Sequence, residues 1–303
     1  MNMQNSDHPP FNTCKTSPAS NYYMSPDRCK AILALGFKDK ALVACQLTWA
    51  RFFPYLGILF LFLIASLCCN AIITSLCEIS ITFSVLFIPL DIVQLLFSLG
   101  IMATILRYMD GAEPRIRAQT LLEPFKRWLA LLPISAIYIC LTIPENLRQL
   151  STFQNTAYYS IIIFSTVSWF FLVYFYFFMA DCRTASTRQI LQVPFYLLVR
   201  QPRIWFQAVL TCIILYGGLF LLALLMCGVI SLVAPNMDLV ACYIYQDFAT
   251  ANLAGALLVL VFILIMLILL VILSIYTMFL FAIAYRQSII ACGGYQTQKG
   301  QEA

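Results

Sequence analysis

Arg107–Trp128 reads RYMDGAEPRIRAQTLLEPFKRW, and this stretch decides the fold. It holds five of the chain's 18 Lys and Arg residues (Arg107, Arg115, Arg117, Lys126 and Arg127) and separates two apolar runs. Asp110-Gly111-Ala112-Glu113-Pro114 is a turn signal, because glycine and proline interrupt helices. A basic segment that ends in tryptophan and leads into an apolar helix suits a membrane surface: the cations reach headgroups and the indole sits at the acyl edge. Two other stretches share this plan and end at Trp49 and Trp205, so the three tryptophans stand 79 and 77 residues apart.

The composition agrees. The chain is 62% hydrophobic and 10% charged, with a mean hydropathy of +0.88; a soluble domain carries about 25% charged residues. One span needs roughly 20 apolar residues, and six are expected, at about 52–74, 79–106, 128–143, 160–180, 204–234 and 253–285. Residues 1–30 are Pro-, Asn- and Ser-containing and read as a disordered tail, with no signal peptide. Residues 31–50 and 181–203 read as amphipathic helices lying in the interface. In the second, Ile190, Leu191, Pro194, Leu197 and Leu198 share one face, and Gln189, Gln192, Tyr196 and Arg200 the other. The membrane domain spans 31–290, and 291–303 is a polar tail.

Charge orients the chain. Six Lys and Arg precede the first span or sit at its start, five lie in the hinge, four between Arg183 and Arg203, and two follow the sixth span; only Arg148 falls elsewhere. By the positive-inside rule both termini and the even-numbered loops are cytoplasmic. The predicted fold is an all-α polytopic membrane protein. Its six transmembrane helices form three parallel helical hairpins, returning at Arg107-Tyr108, Asp181-Cys182-Arg183 and Tyr285-Arg286, with cytoplasmic amphipathic interfacial helices. Any six-span protein with short outer loops yields basic-aromatic approaches, so the equal tryptophan spacing is what argues for a repeat.

Candidate chemistry is sparse. Asp91, two residues after Pro89 and expected midway along the second span, costs about 2.5–3.5 kcal/mol if charged in lipid. With Gln94 it marks an intramembrane polar site: part of a substrate or proton path, or a neutral acid bonded to a neighbouring helix. Arg115, Arg117, Lys126, Arg127, Arg183, Arg188, Arg200 and Arg203 either contact anionic lipid headgroups or only set topology. The twelve cysteines fall mostly within spans or on the reducing side, and no Cys/His cluster suggests a metal. The single histidine, His8, is in the tail, and the motifs of common enzyme classes are missing. No catalytic role and no cofactor are expected.

Several segments carry a resemblance: ACQLTWARFF at 44–53, RYMDG at 107–111, VRQPRIW at 199–205 and AYR at 284–286. Over about residues 38–288 the chain resembles the YciC-like uncharacterised bacterial six-span inner-membrane proteins, related to the membrane domain of some glycerophosphodiester phosphodiesterases. The long polar N-terminal tail departs from that outline. The resemblance implies a bacterial cytoplasmic (inner) membrane and no established reaction. Two functions follow as expectations. One is a non-enzymatic membrane component, a scaffold, partner or lipid-interacting factor in envelope maintenance, whose partners are membrane lipids, anionic phospholipids among them, or another membrane protein. The alternative is a small-solute or lipid transporter with Asp91 in the path.

Overall fold

The structure, a computed structural model, describes residues 26–111, 116–129, 131, 170–182, 187–233 and 253–292. Among these every regular element is a helix. The elements are α1 (Pro26–Ala34), α2 (Phe37–Ile79), a 3-10 segment (Ile81–Leu86), α3 (Phe87–Met109), α4 (Ala118–Leu121), a second 3-10 segment (Glu123–Arg127), α5 (Phe170–Asp181), α6 (Thr187–Arg200), α7 (Pro202–Val233) and α8 (Leu253–Ala291). Four stretches are long and apolar enough to cross a membrane: Phe37–Cys77, Phe87–Met109, Pro202–Val229 and Val259–Ala291. They make the chain membrane-embedded. Most of the expected third span and the first part of the fourth lie outside the described residues.

Three boundaries differ from the expectation. Helix begins at Pro26, inside the stretch read as tail, because proline without an N–H is at home in a first helical turn. The surface helix of 31–50 and the first span are one helix: α2 runs 43 residues from Phe37, straight through Pro54. Its start is set at Gly36, whose N–H donates to Asp39 Oδ2 at 3.1 Å. Between Gly36 and Ser80 only Pro54 lacks an N–H to give the helix, and apolar flanks leave the backbone no better partner than itself. The second membrane helix starts at Phe87 rather than at 79. Pro89 is its third residue, so Asp91 falls in the second turn, not midway.

Among the described residues the larger core lies at one end of the helices, and a smaller cluster of Ile73, Cys77 and Phe87 joins α2 to α3 at the other. α8 is the hub, lying against α1, α2, α3 and α7. Its Ile275–Ile289 half carries core residues such as Phe279, Phe281 and Tyr285, while Leu260, Leu264 and Leu267 are exposed. α7 buries Ala208, Val209 and Cys212 and exposes Leu221 and Leu225. α2 buries Ala44 and Tyr55 and exposes Leu61 and Leu67. α3 buries Leu95, Leu96 and every residue from Leu99 to Leu106 in its C-terminal part, and Phe87 and Asp91 near its start. The packed ends are the basic ends: the N-termini of α2 and α7 and the C-termini of α3 and α8. Tyr55, Phe279 and Tyr108 interlock there edge to face, with ring centroids 5.6 and 6.4 Å apart, and Arg51 lies 4.4 Å above the Tyr108 ring.

The hinge folds back on α3. Gly111 has φ 76° and ends α3 in the left-handed conformation, its N–H donating to Tyr108 O at 3.0 Å. α4 then crosses α3 at Gly100, where a methyl group would collide with the backbone carbonyl of Leu121. α6 is amphipathic as expected: Ile190, Val193, Pro194 and Leu197 face inward. Leu191, assigned to that face, is exposed instead, because it lies about 100° around the helix from Ile190.

Candidate functional site

α3, α5 and α8 all approach the basic end, and each brings one charged side chain to the same point. Asp110 caps the C-terminus of α3, Asp181 is the last residue of α5, and Arg286 lies five residues before the end of α8. The Arg286 side chain is 1% exposed, Asp110 7% and Asp181 30%. Arg286 Nη2 donates to Asp110 Oδ2 at 2.5 Å and to Asp181 Oδ1 at 3.0 Å; Nη1 donates to Asp181 Oδ2 at 2.5 Å. The Tyr285 hydroxyl adds a donor to Asp181 Oδ2 at 3.3 Å. The fork of a guanidinium is the group that can hold two carboxylates from different helices at once.

Aromatic rings wall this centre. Phe177 stacks on Tyr285 at 5.7 Å and Tyr174 meets it edge-on at 5.8 Å. The Tyr174 hydroxyl lies 3.2 Å from Ser288 Oγ, so α5 and α8 are joined again two residues beyond Arg286. On the far side of α8, Gln287 Nε2 donates to the carbonyls of Leu33 and Leu35, each at 3.2 Å, and ties in the α1–α2 turn. Burying three charges is expensive, and their mutual attraction offsets that cost only when the geometry is good. The arrangement specifies which helix ends meet.

Arg127 and Arg107 extend the network into the hinge. Arg127 Nη1 and Nη2 donate to the carbonyls of Cys182 and Met179 at 3.2 and 3.0 Å, closing the C-terminus of α5. Burial pushes the Arg127 guanidinium down while Glu123 and Cys182 push it back up; a guanidinium stays charged under such opposing effects. Arg107 donates to Thr120 Oγ1 at 2.6 Å and pairs with Glu123 at 2.5 Å. Of the other basic residues named from the sequence, Arg117, Lys126, Arg188, Arg200 and Arg203 are exposed. Arg200 lies 5.5 Å from the Tyr196 ring. Arg115 and Arg183 lie outside the described residues.

Asp91 is 6% exposed. Gln94 donates from Nε2 to Ser66 Oγ at 2.8 Å, a bond between α3 and α2. Asp91 and Gln94 stand about 24 and about 20 Å along α3 from Arg107 at 1.5 Å per residue, away from the Arg286 centre. An apolar groove of about 510 Å³ lies elsewhere, between α5 and α6, lined by Phe171, Phe175, Phe195, Val199 and Trp205 among others. The Trp205 indole stacks on Phe171 at 4.8 Å and donates to Phe170 O at 3.0 Å. At the C-terminus, burial pushes the Cys292 thiol up, against smaller opposing effects of Arg200 and Gln201. That favours the thiol over the nucleophilic thiolate. Among the described residues no three His, Cys, Asp or Glu are placed to hold a metal.

Asp110, Asp181 and Arg286 were not singled out from the sequence as a site. A signal existed: they stand at the three points where the predicted spans return to the basic side. No family model, curated protein or solved structure matches the chain.

Proposed function

We propose that the chain is a non-enzymatic component of a bacterial inner membrane, a scaffold that meets lipid or a partner's helices along its open apolar flanks. The observation that carries this reading is the taper of the helix assembly. Its basic end is locked by Arg286, while the outer parts of α2, α7 and α8 display Leu, Ile and Phe. Inside a bilayer such surfaces are covered by acyl chains or other helices, because helix association there draws on packing rather than on the hydrophobic effect. The charge distribution supports six spans in three parallel hairpins with both termini cytoplasmic, and the resemblance to the YciC-like proteins implies six spans in an inner membrane. On this reading the exposed cations of the hinge and α6 meet anionic headgroups.

Asp91 separates this from a transporter. Its burial and the neighbouring Gln94–Ser66 bond fit a sealed helix contact. The test replaces Asp91 by cysteine in a cysteine-reduced background and applies small thiol reagents from each side. Inertness is expected. Labelling from either side, with protection by a solute or lipid, would replace the scaffold reading with a transport path.

A further inference from the structure

Lys40 is a lysine in the wrong place for a topology signal. It is 4% exposed, although three residues into a helix that begins at Phe37. Its Nζ donates to Gln207 Oε1 at 2.8 Å, across from α2 to α7. Gln207 is neutral, and no carboxylate among the described residues bonds this ammonium. The nearest acid in sequence, Asp39, is turned to the N–H of Gly36. Arg203 stands one helical turn before Gln207, the residue that holds Lys40, and so on the same face of α7. It is exposed. Buried charges are normally paired, and among the described residues this ammonium has only the neutral amide of Gln207 as its bonded partner, one helical turn from a second cation. The first turn of α7, which begins at Pro202, adds the positive end of its dipole.

We infer that Lys40 and Arg203, oriented by Gln207, form a binding site for a phosphate group at the α2–α7 contact. Arg203 presents a fork to phosphate oxygens and Lys40 a point charge behind it. The same chemistry is offered by the headgroup of an anionic phospholipid and by a soluble phosphate. The site deepens the lipid-contacting reading, because it lies at the basic end where headgroups would be.

The test uses the full chain in neutral detergent and follows thermal unfolding. One arm titrates phosphatidylglycerol against phosphatidylcholine in mixed micelles; the other titrates inorganic phosphate against chloride at constant ionic strength. A rise in Tm with phosphatidylglycerol alone assigns the site to a lipid headgroup, and a rise with inorganic phosphate assigns it to a soluble phosphate. In either case K40M and R203Q should each weaken the half-saturating concentration by about tenfold, the loss of one charge-assisted bond. R203Q, at an exposed position, serves alone if K40M does not fold. An equal response of wild type and R203Q, or no response to either anion, overturns the site. That result leaves the lipid-facing reading standing if lipid-phase reagents still label the flanks of α2 and α7.

Discussion

Arg286 is the residue whose loss should be felt most. Removing it leaves the buried Asp110 and the partly exposed Asp181 without their shared cation, so R286M should cost about 3–5 kcal/mol, read as a lower midpoint of unfolding in detergent. R286K should recover only part, since an ammonium cannot hold both carboxylates as a fork does. Adding D110N and D181N to R286M should restore stability relative to R286M alone; no restoration would show that ring packing rather than charge dominates this point. Gly111 matters for a different reason. Its φ of 76° is strained for any residue with a Cβ, so G111A should cost about 1–2 kcal/mol by the same measurement. The effect reaches the centre, because Gly111 follows the Asp110 that Arg286 holds.

At the scale of elements, the described part of the hinge after Ile116 is folded against α3. α4 rests on α3 through Gly100, and Arg127 closes α5. G100L puts a side chain where the Leu121 carbonyl stands, so α4 must leave α3. The expected readout is faster proteolysis between 111 and 129 together with a lower unfolding midpoint; unchanged cleavage would place the hinge elsewhere in solution. R127Q withdraws two donors from the C-terminal carbonyls of α5 and should cost about 1 kcal/mol. The basic residues of this hinge thus divide. Arg107 and Arg127 are engaged within the protein, while Arg117 and Lys126 are exposed.

Among the described residues the main core gathers at the basic end while apolar flanks of α2, α7 and α8 are exposed, and the chain's own cysteines can report this. Cys68, Cys69 and Cys227 are exposed on the apolar parts of α2 and α7, whereas Cys77 and Cys212 are buried. In native membranes a lipid-soluble maleimide should label the first three, and a charged membrane-impermeant reagent should not. Labelling of Cys68 or Cys227 by the charged reagent would place water along those flanks and argue for a cavity instead of lipid. Protection from the lipid-soluble reagent in membranes but not in detergent would identify a partner's helices there.

Much of this was legible from one sequence because its signals are local. Apolar length, basic flanks and the helix stop at Asp110-Gly111 are one-dimensional, and the bilayer imposes the same demand on every span. The amphipathic face of α6 was legible for the same reason. Asp91 was legible as a buried acid, yet its level in α3 was not, because the start at Phe87 depends on how the Ser80–Leu86 segment turns. Tertiary structure alone decided the site. Asp110, Asp181 and Arg286 are far apart in the chain and look like ordinary interfacial charges until three helix ends converge. The same holds for Lys40, which reads as one more cation near a membrane until it is found buried and bonded to Gln207 of α7. Hydropathy and charge act residue by residue and can be counted along a chain; pairing depends on which ends meet in space.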